Sequence, residues 1–163
     1  HAMITLGILT ISTSASKGDR IDSSGDIIKE VLCPPLFRVE NYEVVPDGID
    51  VIERKLRYWA DRLKLNLVVT TGGTGLGHSD VTPEACKKVF DKEVPGLGEV
   101  MRAKTFEKTP LSMLSRSVAG IRKTTLIVSL PGSPKAVKEC LEVIRPIIPH
   151  AIEILSNDRG HGG

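Results

Sequence analysis

Two acids and one glycine-rich segment carry the chemistry of this chain. The segment "LVVTTGGTGLGHSDVTPEAC", residues 67–86, begins as an apolar run. It then places Gly72, Gly73, Gly75 and Gly77 within six residues. Glycine backbone adopts φ > 0 and lets a ligand approach closely. Successive N–H groups in such a loop form an anion-binding concavity. Thr70, Thr71 and Thr74 add hydroxyl donors, and the free N–H groups of a helix start follow. The combination suits a phosphate. Asp80 stands out beside it. Thr82-Pro83-Glu84 supplies a helix start, with Thr82 as N-cap, Pro83 as first helical residue and Glu84 at the positive end. Asp80 is therefore left without a capping duty. A carboxylate next to a phosphate cradle is unfavourable unless a cation lies between them, and Mg²⁺ held by one or two carboxylates plus phosphate oxygens is the common solution. The alternative is an Asp80 that only bonds the N–H groups of its own loop.

Asp47, after Val45-Pro46, is the second acid. Capping of the next helix and a role in chemistry both remain open for it, with Asp50 competing for the cap. "SLPGSPKAV" repeats the strand-loop-helix device, with Ser133 as N-cap and Pro134 in the first turn. "STSASKG" contributes Ser12, Thr13, Ser14, Ser16 and Lys17, and "MLSRS" contributes Ser115, Arg116 and Ser117. The Walker pattern GxxxxGK[ST] is missing, and residues 73–77 read GxGxG instead of the dinucleotide GxGxxG. A dinucleotide binder is thus weakly supported. His78 falls within the glycine loop and the other histidines lie outside these segments, and no Ser-His-Asp arrangement is argued from them. His78 and His150 have no metal-ligand spacing, and no structural metal is expected. The chemistry that remains is positioning: phosphates, a divalent ion and carboxylates.

The elements that must position these residues alternate. Ile4 to Ser12 reads as a buried strand, followed by a helix in "DSSGDIIKEVL" and a second strand from Phe37 to Pro46. Ile49, Ile52, Leu56, Trp59 and Leu63 fall on one helix face, which places the single Trp in the core. Asn66 to Thr71 is a third strand, with a helix from Pro83 and another in "PGLGEVMRAKTFEK". Thr109-Pro110 caps a short helix. Ser115 to Pro131 reads as an extended pair ending in a buried strand, Thr125 to Leu130. Helices follow from Ser133-Pro134 to Val143 and from Pro146 to Leu155. Such alternation implies an α/β domain with a mostly parallel sheet covered on both faces. Ligands then bind beyond the carboxyl ends of the strands. Four loops qualify: residues 12–18, 46–48, 71–82 and 131–133.

The 163 residues suit one domain, expected over residues 3–156 with a flexible tail at 157–163. A net charge of +2 gives no argument for nucleic acid or a membrane surface, and no run of 18 apolar residues exists. Met3 is the expected native start, and nothing after it resembles a signal peptide, so the cytosol is expected. Cys33, Cys86 and Cys140 are odd in number and form no CxxC pair, which points to reduced, partly buried thiols.

The blocks "VVTTGGTGLGHSDVTPEA", "PGLGEVMR", "MLSRSVAGIR", "LIVSLPGSPKAVKECLE" and "VPD" resemble the molybdopterin-binding family, in the right order over Ile4 to Leu155. The resemblance implies a three-layer α/β/α sandwich and a homotrimer. It implies Mg²⁺-dependent transfer of AMP from ATP to the phosphate of molybdopterin, with release of pyrophosphate, and a separate protein that inserts molybdate. Asp80 and Asp47 match the family's acids and are the expected catalytic and Mg²⁺-binding residues. Gly72, Gly73, Thr74 and Gly75 match the substrate cradle. Ser115, Pro131, Gly132 and Ser133 match the pterin side, and Ser12 the first loop. Thr13 stands where the family often has Asp, and Ser79 where many members have Arg. Arg116, Arg122 and Lys17 are the candidates to restore that cation. These departures keep a second reading open, a molybdopterin-binding paralogue or scaffold without turnover.

Overall fold

The computed structural model describes residues 2–159. Six strands form one sheet in the order β2-β1-β3-β6-β5-β4. β1 (Ile4–Ile11), β2 (Phe37–Val45), β3 (Leu67–Thr71) and β6 (Thr125–Leu130) run parallel. β5 (Ala119–Arg122) is antiparallel to β6, and the two-residue β4 (Lys92–Glu93) is antiparallel to β5.

Strand alternation sorts the core into two layers. Ile4, Leu6, Ile8, Leu67, Val69, Leu126 and Val128 point to one face. They pack there against α2 (Ser23–Val31), α5 (Pro95–Phe106), α6 (Pro134–Ile144) and α7 (Ile148–Arg159). Leu9, Ile11, Val68 and Ile127 point the other way, onto α3 (Ile49–Asp61) and α4 (Thr82–Val89). The result is the three-layer α/β/α sandwich with a mostly parallel sheet that the alternation implied. The central strands are apolar on both faces because helices cover both.

Trp59 is 1% exposed and packs in the second layer, as its spacing predicted. Leu63 departs from the predicted face. The helix ends at Asp61, so the chain has turned away and Leu63 is 37% exposed. α7 runs to Arg159, so residues 157–159 are helical where a tail was expected; residues 160–163 lie outside the described residues.

Register brings the four loops together. Ile11 pairs with Val45, Thr10 with Thr71, and Thr71 with Leu130, so β1, β2, β3 and β6 end at one edge. β1 leads outward to β2, whereas β3 lies on the other side of β1. The strand order thus reverses between β1 and β3, the place where open α/β sheets form a crevice.

Candidate active site

A cleft of about 540 Å³ opens at that reversal. Its floor is Thr10, Ile11 and Thr71, from the ends of β1 and β3. Ser12, Arg20, Asp22, Asp47, Gly72, Gly73, Asp80, Gly132 and Ser133 form its walls. Of the residues singled out in the sequence, Ser12, Asp47, Gly72, Gly73, Asp80, Gly132 and Ser133 meet here. Thr74, Gly75, Ser115 and Pro131 line an adjoining hollow of about 370 Å³, which shares Gly73, Asp80, Gly132 and Ser133 with the cleft. Beyond it, Ser115, Pro131 and Ser133 also border a more apolar cavity of about 280 Å³, walled by Met101, Leu111, Ala136 and Cys140.

The glycine loop is held by its carbonyls. The Gly72 oxygen accepts from Thr82 Oγ1 (2.9 Å) and the Gly73 oxygen from Thr82 N–H (3.1 Å). The Thr74 oxygen accepts from Arg116 N–H (2.9 Å) and the Gly75 oxygen from Arg116 Nε (2.9 Å). Four successive carbonyls are thereby turned into the protein. Among the described residues, the N–H groups of Gly73, Thr74 and Gly75 donate to nothing. This is the geometry of a backbone anion cradle. Gly72 and Gly73 sit at φ +99° and +70°, and a Cβ at residue 72 would collide with the Ile11 carbonyl.

Asp47 and Asp80 bracket this loop. Asp47 does not cap α3: Gly48 is the N-cap, without a side-chain bond. Its carboxylate Oδ2 instead accepts from Thr13 Oγ1 (3.0 Å), whose oxygen accepts from Asp47 N–H (3.1 Å). Oδ1 has no hydrogen bond among the described residues and lies 3.4 Å from where a Cβ on residue 73 would stand. Asp80 Oδ2 accepts from Gly77 N–H (2.9 Å), the local bond weighed as its alternative role, and Oδ1 stays free. The same Oδ2 would sit 3.0 Å from a Cβ on residue 75. Both carboxylates therefore lie against the bare backbone of the loop.

Two expectations need correction. Thr82 is the first residue of α4, not its N-cap; Val81 holds that place and has no side-chain oxygen to accept a capping bond, while the Thr82 hydroxyl donates back to the Gly72 carbonyl. The candidate cations also sort differently. Arg122 pairs with Asp61 (2.8 Å) and donates to the Val89 carbonyl, so it supplies no charge to the cleft. Lys17 does not line the cleft. Arg116 reaches the loop but is consumed there. Besides Gly75, it donates to the Asp80 carbonyl (2.7 Å) and pairs with Glu84 (2.6 Å), holding that carboxyl below its ordinary range.

Ser133 caps its helix as predicted, whereas a short helix capped by Ser12 stands where only a loop was expected. Ser133 Oγ accepts from Ala136 N–H (3.3 Å) to cap α6, and Ser12 Oγ caps the four-residue α1, Thr13–Ser16, through Ala15 N–H (3.3 Å). Ser24 Oγ donates to the Gly132 carbonyl (2.7 Å), tying α2 to the loop after β6. Sequence reasoning missed Arg20 and Asp22. The only local signal was that Asp22 precedes a Ser-Ser-Gly helix start; nothing local placed either side chain at the cleft.

With the site in view, residues 7–150 match the family described as "Probable molybdopterin binding domain". The chain belongs to this molybdopterin-binding domain family. Among its relatives is the molybdopterin adenylyltransferase of Helicobacter pylori (strain J99), 47% identical over 93% of this chain and 88% of that protein. The molybdopterin adenylyltransferase of Escherichia coli K12 is 41% identical over 87% of this chain and 74% of its own length. Among solved structures, the molybdopterin biosynthesis enzyme MoaB of Thermus thermophilus superposes with a TM-score of 0.90 at 48% identity, covering 95% of this chain and 98% of that one.

Proposed function

We propose that this protein is a molybdopterin adenylyltransferase, acting in molybdenum cofactor biosynthesis by transferring AMP from ATP to the phosphate of molybdopterin. The observation that carries the reading is the glycine loop with its carbonyls tied back, its free N–H groups and a carboxylate on either side. In the reaction an oxygen of the pterin phosphate attacks the α-phosphorus of ATP. The new P–O bond forms as the bond to the β-phosphate oxygen breaks, and pyrophosphate leaves. Both reactants are anionic, so catalysis rests on holding them in line and offsetting charge.

The residues divide this work. N–H groups of Gly73, Thr74 and Gly75 bind phosphate oxygens at the boundary between the cleft and the adjoining hollow. The nucleotide takes the larger cleft, and the pterin the side lined by Ser115, Pro131 and Ser133. Asp47 and Asp80 suit Mg²⁺: both are hard oxygen donors, each lies against the loop, and each keeps one carboxylate oxygen without a hydrogen bond among the described residues. No cluster of three or more His, Cys, Asp or Glu exists among the described residues, so an ion here takes its other ligands from phosphate and water. When bound, Mg²⁺ would neutralise charge that builds up on the phosphates. We further infer a cytosolic homotrimer that passes its product to a separate molybdate-insertion protein. The exposed Leu111, Met113 and Leu114 are in keeping with an assembly.

The test is single-turnover AMP transfer with Mg²⁺, comparing wild type, Asp47→Ala and Asp80→Ala, with pyrophosphate and adenylylated pterin both measured. Wild-type transfer that falls at least about tenfold in each variant (~1.4 kcal/mol of barrier) supports the reading. Pterin binding without transfer by wild type would leave the binding-only reading that Thr13 and Ser79 raised.

A further inference from the structure

The cleft has a charge problem. Three carboxylates line it, Asp22, Asp47 and Asp80, and a nucleotide would bring more negative charge. Arg20 is the single Lys or Arg side chain on its walls. Every other basic group nearby is spent or placed elsewhere. Arg116 is committed to Glu84 and two loop carbonyls, and Arg54 and Lys88 border a separate shallow depression on the far side of Asp47. Arg20 has no hydrogen bond and no ion pair of its own among the described residues.

The segment that carries Arg20 is firmly anchored. Asp22, two residues on, caps α2 by accepting from Gly25 N–H (3.0 Å). It also accepts from Thr10 Oγ1 (2.7 Å) on β1 and from the Tyr42 hydroxyl on β2. Burial and this bond raise the Tyr42 hydroxyl pKa well above its ordinary value, so the hydroxyl stays a donor. The three bonds use up Asp22, which leaves it a wall and an anchor. A free guanidinium beside a fixed anchor, in a cleft whose other charged side chains are carboxylates, is placed to receive an anion.

We propose that Arg20 is the nucleotide-binding cation of this site, contacting the triphosphate of ATP from the wall of the cleft. The proposal rests on the adenylyltransferase reading and adds a substrate-binding residue to it. Arg20 suits the role because its planar fork can grip two phosphate oxygens at once.

The experiment is calorimetric titration of α,β-methylene-ATP, which cannot donate AMP, with Mg²⁺ present. Wild type, Arg20→Ala, Arg20→Lys and Arg54→Ala are compared, with thermal melts to verify folding. Arg20→Ala is expected to weaken binding at least about tenfold (~1.4 kcal/mol) and to lower the salt dependence of binding. Arg20→Lys should recover part of the loss, and Arg54→Ala should stay within about twofold of wild type (~0.4 kcal/mol). Equal affinity of wild type and Arg20→Ala would overturn the proposal while leaving the adenylyltransferase reading intact. An equal loss in Arg54→Ala would overturn it too, since a general field would then account for the effect. A wild type that binds no nucleotide would overturn both.

Discussion

Thr13 and Asp47 hold each other by two reciprocal hydrogen bonds, hydroxyl to carboxylate at 3.0 Å and backbone N–H to hydroxyl at 3.1 Å. The pair joins the loop after β1 to the loop after β2. It fixes the Asp47 carboxylate with one oxygen engaged and the other open towards Gly73. Thr13, where the resemblance implied a carboxylate, thus acts in this chain by orienting one.

Thr13→Val removes both bonds at nearly constant shape. Its kcat/KM for AMP transfer should fall about tenfold (~1.4 kcal/mol), whereas Thr13→Ser, which keeps the hydroxyl, should stay within about threefold (~0.65 kcal/mol). Full activity in Thr13→Val would show that the hydroxyl does not matter, and a loss in Thr13→Ser alone would place the effect in methyl packing.

Arg116 is a clamp on the glycine loop. Arg116→Ala frees the Gly75 and Asp80 carbonyls and leaves Glu84 unpaired, so pyrophosphate affinity should fall with a modest drop in melting temperature. Arg116→Lys should recover little, because an ammonium cannot reproduce the fork that spans two carbonyls and a carboxylate. Full affinity in Arg116→Lys would mean that charge alone holds the loop.

Asp61 gives a pH signature far from the site. Its hydrogen bonds to Arg122 lower its pKa from an ordinary 3.8. A depressed folded pKa stabilises the fold above the unfolded value, and that stability is lost as pH falls through the folded one. Asp61→Asn should therefore cost about 1 kcal/mol at neutral pH, the usual scale for such a bond. The gap to wild type should close as pH drops below 3.8 in denaturant titrations. A gap independent of pH would remove the ion pair as its cause.

The thiols should differ in reactivity. Burial pushes Cys86 up to about 12 and Cys140 up to about 11, whereas Cys33 is only half-buried. A thiol reagent at pH 8 should label Cys33 first, with the other two reacting only on unfolding. Mass spectrometry of the labelled peptides decides it; early labelling of Cys86 would show that α4 opens in the native state.

Much of this architecture was legible because it is written in local patterns. Ile4, Leu6 and Ile8 against Leu9 and Ile11 sort β1 between two layers by simple alternation. Ser133-Pro134 and Thr109-Pro110 announce helix starts by composition alone, and both side chains accept the expected bonds. Thr82 looked like the same device, but the helix begins one residue earlier than its capping required, and its hydroxyl donates back to the Gly72 carbonyl instead. Asp47 was legible as an acid at a strand end, yet its partner Thr13 is 34 residues away and could not be read. Arg116 and Arg20 were opaque for the same reason: what a long cation touches is decided by topology.

The tethers of the glycine loop also set when the site can exist. Arg116 comes from 41 residues beyond Gly75, and Thr71 Oγ1 is fastened to the Pro131 carbonyl 60 residues away. A growing chain that has reached α4 holds all four glycines, but has neither anchor. The tied-back loop is therefore a property of the finished sheet. If substrates bind this loop as proposed, they select and stabilise the completed fold alone, so their presence during refolding should raise the yield of native protein without helping its early intermediates.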